Sequence, residues 1–256
     1  MQNTSCFRIV RIFHNPVRAA VAILLPMLPL AVMPPLRSQT EAPQFNASDA
    51  TSVLDLINSR PVPRNAYRVL FIGDSLTLHQ PIAGLWDHFM GMAATTPEND
   101  FVHLAAAHIQ LKTKKHPVEV FYDNGGRGRI GPMLQYFKAH PELKPDLVVL
   151  QGGENDPFDE SFKTNYCGLL HIFNPPTTKM IVLGDWNTKQ KSDFEESETK
   201  SIGIPFVSLI EIHANPANSG DGGPHQVVGV AHHPNDKGMQ VIANAIEFHF
   251  DRLGSK

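Results

Sequence analysis

Cysteine is nearly absent from the chain: two occur in 256 residues, Cys6 and Cys167. A disulfide-stapled scaffold is therefore excluded, and no Cys–His pair has the spacing of a metal site. Cys167, in an apolar stretch at 165–173, reads as a small buried hydrophobe. Acidic residues are missing from the first 38 positions, which carry Arg8, Arg11, Arg18 and Arg37. Taking those four from the 22 Lys and Arg leaves 18 against 25 Asp and Glu, a net of −7 for the remainder. A body of that sign has no electrostatic reason to seek phosphate backbones, so nucleic acid is not an expected partner. Low-complexity tracts and repeats of 20–50 residues are also lacking, and an apolar share of 42% is enough to build a core.

A long hydrophobic run is lacking too. The apolar stretch at 19–33 has fifteen residues, whereas a membrane span needs about 20, and Pro26 and Pro29 interrupt it. With Arg8, Arg11 and Arg18 ahead of it, the segment reads as the charged and apolar regions of an export signal. The expected location is secreted or periplasmic. No small-x-small cleavage triplet follows Met33, so membrane anchoring by an uncleaved N-terminal segment is the alternative. Residues 1–38 are read as signal or anchor, 39–66 as a Pro/Ser/Thr-rich linker, and 67–256 as the folded domain.

Within that domain, nearly continuous apolar runs of strand length recur at 69–72, 118–122, 147–150, 180–183 and 206–210. Such runs suit strands covered on both faces. Helical spacing lies between them at 82–92, 104–111 and 133–137, and Met239, Ile242, Ile246, Phe250 and Leu253 mark a last helix. Alternating strand and helix predicts an α/β fold, doubly wound around a parallel sheet.

In an open parallel sheet, ligands bind beyond the carboxyl ends of the strands. Polar clusters stand there: Gly73-Asp74-Ser75-Leu76 after the first run, Asn124-Gly125-Gly126-Arg127-Gly128 after the second, and Gln151-Gly152-Gly153-Glu154-Asn155-Asp156 after the third. A fourth, His232-His233-Pro234-Asn235-Asp236, precedes the last helix.

The Gly-Asp-Ser-Leu cluster resembles the signature of the GDSL, or SGNH, hydrolases, and the later clusters follow in that family's order. The resemblance spans about residues 67–250. It implies a three-layer α/β/α sandwich with a five-stranded parallel, flavodoxin-like sheet. It also implies Ser75 as nucleophile, Gly126 (or Gly125) and Asn155 as oxyanion donors, and His233 as general base. Asp74, Gly125, Arg127 and Trp186 are the expected substrate-binding residues, with Arg129 beside them. Neither cofactor nor metal is expected.

The chemistry is consistent with those residue types. A Ser hydroxyl needs an adjacent base to become a nucleophile, and donors aimed at the developing oxyanion are worth about 10²–10³ in kcat each. Plainer readings stand beside these: Ser75 as a helix N-cap, the glycines as a turn, Asn155 as a turn residue, Trp186 as packing, and His232 as the base. Members of the family usually carry an acid three residues before the histidine, but Val230 precedes His233 and Gly229 precedes His232. A main-chain carbonyl is the expected substitute acceptor and Asp221 the second choice, with Asp236 and Glu154 as further acids.

The expected activity is hydrolysis of acyl esters, acetyl above others, with a small-molecule or carbohydrate ester as partner. Lipase or thioesterase action is the neighbouring alternative. A non-catalytic glycan-binding domain is the alternative from another class, and an acyltransferase held at the membrane is the third.

Overall fold

The computed structural model describes residues 67–79, 81–88, 90–113, 129–173, 177–220 and 227–254 with their side chains, and the backbone of the strands at 7–11 and 118–123. The apolar run at 19–33 read as part of an export signal, the stretch at 39–66 read as a linker, and the glycine cluster at 124–128 lie outside them. Six strands form one sheet: β1 (Phe7–Arg11), β2 (Tyr67–Ile72), β3 (Val118–Asp123), β4 (Leu147–Leu150), β5 (Lys179–Leu183) and β6 (Phe206–Val207). Their order is β1-β3-β2-β4-β5-β6. The five from β2 to β6 are mutually parallel, while β1, which the sequence pattern does not announce, runs antiparallel along β3. Counted without β1, the order is 2-1-3-4-5, the flavodoxin-like arrangement.

Period-two alternation divides β2, β4 and β5 between two cores. Val69, Phe71, Leu147, Val149, Ile181 and Leu183 face α1 (Phe101–Thr113) and α7 (Asp236–Leu253). Leu70, Ile72, Val148, Leu150, Met180 and Val182 face α2 (Ile130–Ala139) and α3 (Glu160–Phe173). The result is three layers. α4 (Lys189–Ser201) sends Phe194 into the second core, and the short α5 (Leu209–His213) and α6 (Val228–Ala231) lead to α7. α7 buries Met239, Ile242, Ala243, Ile246 and Phe250 on one stripe, and each large apolar side chain removed from water stabilises by about 1.5–3 kcal/mol. Its start is set by Asn235, whose side chain accepts from the Gly238 N–H at 3.0 Å.

Three expectations change, and the first is that the run expected as a strand at 206–210 is strand only at Phe206–Val207, with Leu209 and Ile210 opening α5. The stretch at 82–92 is not a helix: it forms isolated antiparallel bridges, His79 with Met90 and Ile82 with Trp86. Gly84, at φ +74°, turns the chain between Ile82 and Trp86. Trp86, Met90 and Met92 are buried from a loop, inside the first core, whereas Ile82 is exposed. Cys167 is only partly buried; its thiol donates to Glu198 Oε2 at 3.4 Å, and burial together with that carboxylate pushes it up to about 11.

Candidate active site

Strand order places the crevice. β2 continues to α1 on one face, whereas β4 continues to α3 on the other, so the chain diverges between these adjacent strands. That is the switch point at which doubly wound sheets bind ligands. Ser75 follows β2 and Asn155 follows β4, one on each side of it.

Ser75 lies in a single tight turn in which Asp74 O accepts from Thr77 N and Leu78 N, both at 3.0 Å. The turn is closed by Asp74, whose Oδ1 accepts from Leu76 N at 3.2 Å. This overturns Ser75 as a helix cap: no helix follows, and the capping oxygen belongs to its neighbour. Gly73 is required by close approach. A Cβ there would lie 1.8 Å from Thr77 Oγ1 and 2.6 Å from Gln151 Oε1. Ser75, partly exposed, is left facing His233, with Oγ and Nε2 separated by 2.6 Å across 158 positions of sequence.

His233 arrives from the turn between α6 and α7. Its pKa is lowered to about 4, chiefly by burial, with the charges of His79 and His232 adding to that; the carbonyls of Val230 and Gly229 act in the opposite sense. The ring is therefore neutral at pH 7, as a proton acceptor must be. Its Nδ1 is buried and makes no hydrogen bond among the described residues. Asp236 does not serve it, since its carboxylate accepts from Thr95 N (2.8 Å), Thr95 Oγ1 (2.6 Å) and Asn99 Nδ2 (3.0 Å). Glu154 is turned toward Trp186 and Gln151. Asp221 lies outside the described residues, as do Gly125, Gly126 and Arg127. His232 is exposed, and the pairing with Ser75 belongs to His233.

Asn155 is exposed at the tip of its turn. Gly153, at φ +96°, begins the turn, and Asp156 Oδ2 accepts from Ile130 N at 2.8 Å, joining the turn to the start of α2. Arg129, which precedes that helix, is exposed.

Two residues expected to touch substrate are buried beneath the site instead. Asp74 is 0% exposed, and burial raises its pKa to about 6. Its neighbours in the turn and the amide of Gln151 occupy the space a ligand would need. Trp186 is 1% exposed and stacks on His213 with centroids 4.5 Å apart, so no sugar can stack on it. Its indole N–H donates to His232 O at 2.8 Å, which ties the histidine turn to the end of β5. His79 is a site-forming residue that motif reading misses, while Gln151 and Glu154, both within the third cluster, take bracing parts that the motif does not assign. Gln151 Oε1 accepts from Asp74 N and Thr77 Oγ1, both at 3.1 Å. Glu154 Oε1 accepts from Trp186 N at 2.8 Å and Gln151 Nε2 at 3.3 Å.

Among solved structures, the chain is similar to a two-domain esterase (CEX) active on acetylated mannans, co-crystallized with mannopentaose. The TM-score is 0.51 at 18% identity, covering 80% of this chain and 53% of that one. The chain has that enzyme's fold. It spans about half of that protein's length. An acetyl xylan esterase, AlAXEase, matches at TM-score 0.46 and 16% identity over 70% of this chain and 97% of that one. TesA matches at 0.47 and 14%, over 70% and 95%. No protein-family model matches the chain, and no curated protein does.

Proposed function

We propose that the chain is an exported serine esterase that removes acyl groups, acetyl above others, from an ester substrate such as a decorated carbohydrate. The observation that carries the reading is the 2.6 Å approach of Ser75 Oγ to His233 Nε2 at the switch point of the sheet. A serine and an imidazole meeting there have a ready chemical use.

Ser75 attacks the acyl carbon while His233 Nε2 takes its proton. The carbonyl carbon becomes tetrahedral, and its oxyanion is received by the amide of Asn155 and by the main-chain N–H groups of Ser75 and Gly126. The His233 proton passes to the departing alcohol. Water, deprotonated by the same nitrogen, then releases the acid from the acyl-enzyme. With no carboxylate placed on Nδ1 among the described residues, this is a Ser–His dyad whose ring is held by its burial and by its contact with Ser75 Oγ. The carbohydrate part of the proposal leans on the activity named for the mannan esterase that shares the fold, and the exported part on the N-terminal sequence.

The test is labelling by a fluorophosphonate, followed by turnover of p-nitrophenyl acetate, butyrate and longer esters. Labelling and acetyl-ester turnover that vanish in Ser75→Ala and His233→Ala support the reading. An unlabelled, inactive wild type would refute it in favour of a binding domain, and faster turnover of long chains than of acetate would remove the carbohydrate assignment.

A further inference from the structure

Under the two loops lies a group of buried charges that the hydrolytic steps above do not use. Asp74, Asp185, Lys191 and Glu195 are each at most 2% exposed. Asp185 Oδ1 accepts from Asn187 N at 2.8 Å and Thr188 N at 2.6 Å, and its own N–H donates to Glu195 Oε2 at 2.7 Å. Lysine is rarely buried unless it is paired, and Lys191, in the first turn of α4, reaches past this carboxylate toward the turn that carries Asn155. Its Nζ donates to Gly153 O at 2.7 Å, Asp156 O at 3.0 Å and Glu154 O at 3.4 Å, and lies 3.2 Å from Asp185 Oδ2. An ammonium has three donors and no acceptor. All three are taken by carbonyls on the two sides of Asn155.

We propose that Lys191 is a positioning residue for ester hydrolysis: its ammonium gathers the carbonyls of residues 153, 154 and 156 and so fixes the Asn155 amide where it meets the oxyanion. The inference rests on the esterase reading above. Three peptide units gathered on one cation cannot rotate independently, and a donor displaced by about 1 Å can cost about 10²-fold in rate. Asp185 holds the ammonium from the far side, and Asp156 carries the same restraint to the start of α2 through Ile130 N. Lys191 is 2% exposed and out of reach of substrate, so its loss is expected to act chiefly through the turn that carries Asn155.

The experiment is a double-mutant cycle on p-nitrophenyl acetate, with kcat expressed per Ser75 titrated by fluorophosphonate. Lys191→Met is expected to lower kcat about 10–100-fold with KM within about 2-fold, because an oxyanion donor acts in the transition state. In an Asn155→Ala background the same substitution should change kcat by less than about 2-fold. Equal loss in both backgrounds, or an unchanged kcat, overturns the proposal. If Lys191→Met yields no protein that can be titrated, Asp185→Asn, which removes the charge holding the ammonium but keeps the volume, is read in the same cycle. Its expected loss is about 3–10-fold, again absent without Asn155, and the same contrary patterns overturn the proposal. A wild type that neither labels nor turns over sinks the esterase reading and this inference together. A labelled, active wild type with multiplicative losses sinks this inference alone.

Discussion

Acidifying an ester-hydrolysis assay from about pH 8 to pH 3.5 reports directly on the environment of His233. In the free enzyme, kcat/KM follows the fraction of enzyme whose base is unprotonated. The groups bearing on that imidazole are His79 and His232, both opposing its protonation, and the Val230 and Gly229 carbonyls, which favour it; burial outweighs them all and brings it to about 4. At pH 5 such a ring is about 90% neutral, whereas an ordinary histidine, at about 6.5, would be about 3% neutral. The structure therefore predicts kcat/KM at pH 5 within about 20% of its value at pH 7, where an exposed dyad would have lost about 30-fold. The assay is initial-rate turnover of p-nitrophenyl acetate across the range, with fluorophosphonate titration at each pH to count surviving sites. Asp74, at about 6, lies in the turn under the nucleophile and can impose a limb of its own. Asp74→Asn separates the two, since a limb that disappears in this variant belongs to Asp74. An acid limb near 6.5 that persists in Asp74→Asn would refute the burial argument.

Three further outcomes follow from packing and hydrogen bonding. Gly73→Ala should cost at least about 1–3 kcal/mol, seen as a lower urea midpoint, because its Cβ would overlap Thr77 Oγ1 at 1.8 Å. Trp186→Phe removes the donor that reaches His232 O at 2.8 Å; a destabilisation of about 1–3 kcal/mol with a lower kcat is expected, and unchanged values of both would show that the indole does not hold the histidine turn. Ile246→Ala, at a position 0% exposed on α7, should cost about 2–5 kcal/mol while leaving kcat per titrated Ser75 unaltered.

The parallel sheet was legible because β2, β4 and β5 bury both faces, so their sequences hold nearly continuous apolar runs, as in Leu147-Val148-Val149-Leu150. The last helix was legible for the opposite reason: with one face buried, its apolar residues recur at helical spacing. α4 was not, because the face it buries is polar. Lys191, Ser192, Glu195 and Thr199 are its enclosed residues, and no hydropathy pattern can announce a helix packed through charge. The apolar spacing at 82–92 misled for a related reason: a loop that folds back on itself can bury Trp86 and Met90 as well as a helix can. At the site, motif order and strand-end position singled out Ser75 and His233, whose partnership is a contact between chain segments far apart in sequence. Asp74 and Trp186 were assigned to substrate because chemistry-bearing residue types at a strand end suggest contact with a ligand. Which side of the turn they face depends on local geometry that residue type does not encode.

The two bonds to Glu154 Oε1 have a mechanical consequence. One comes from Gln151, which braces the nucleophile's turn, and the other from the main chain of Trp186, whose indole grips the base's turn. A single oxygen atom thus ties together the turns that carry Ser75, Asn155 and His233. On heating, these three should slacken together, so inactivation and loss of order in this corner are expected at one temperature rather than in succession.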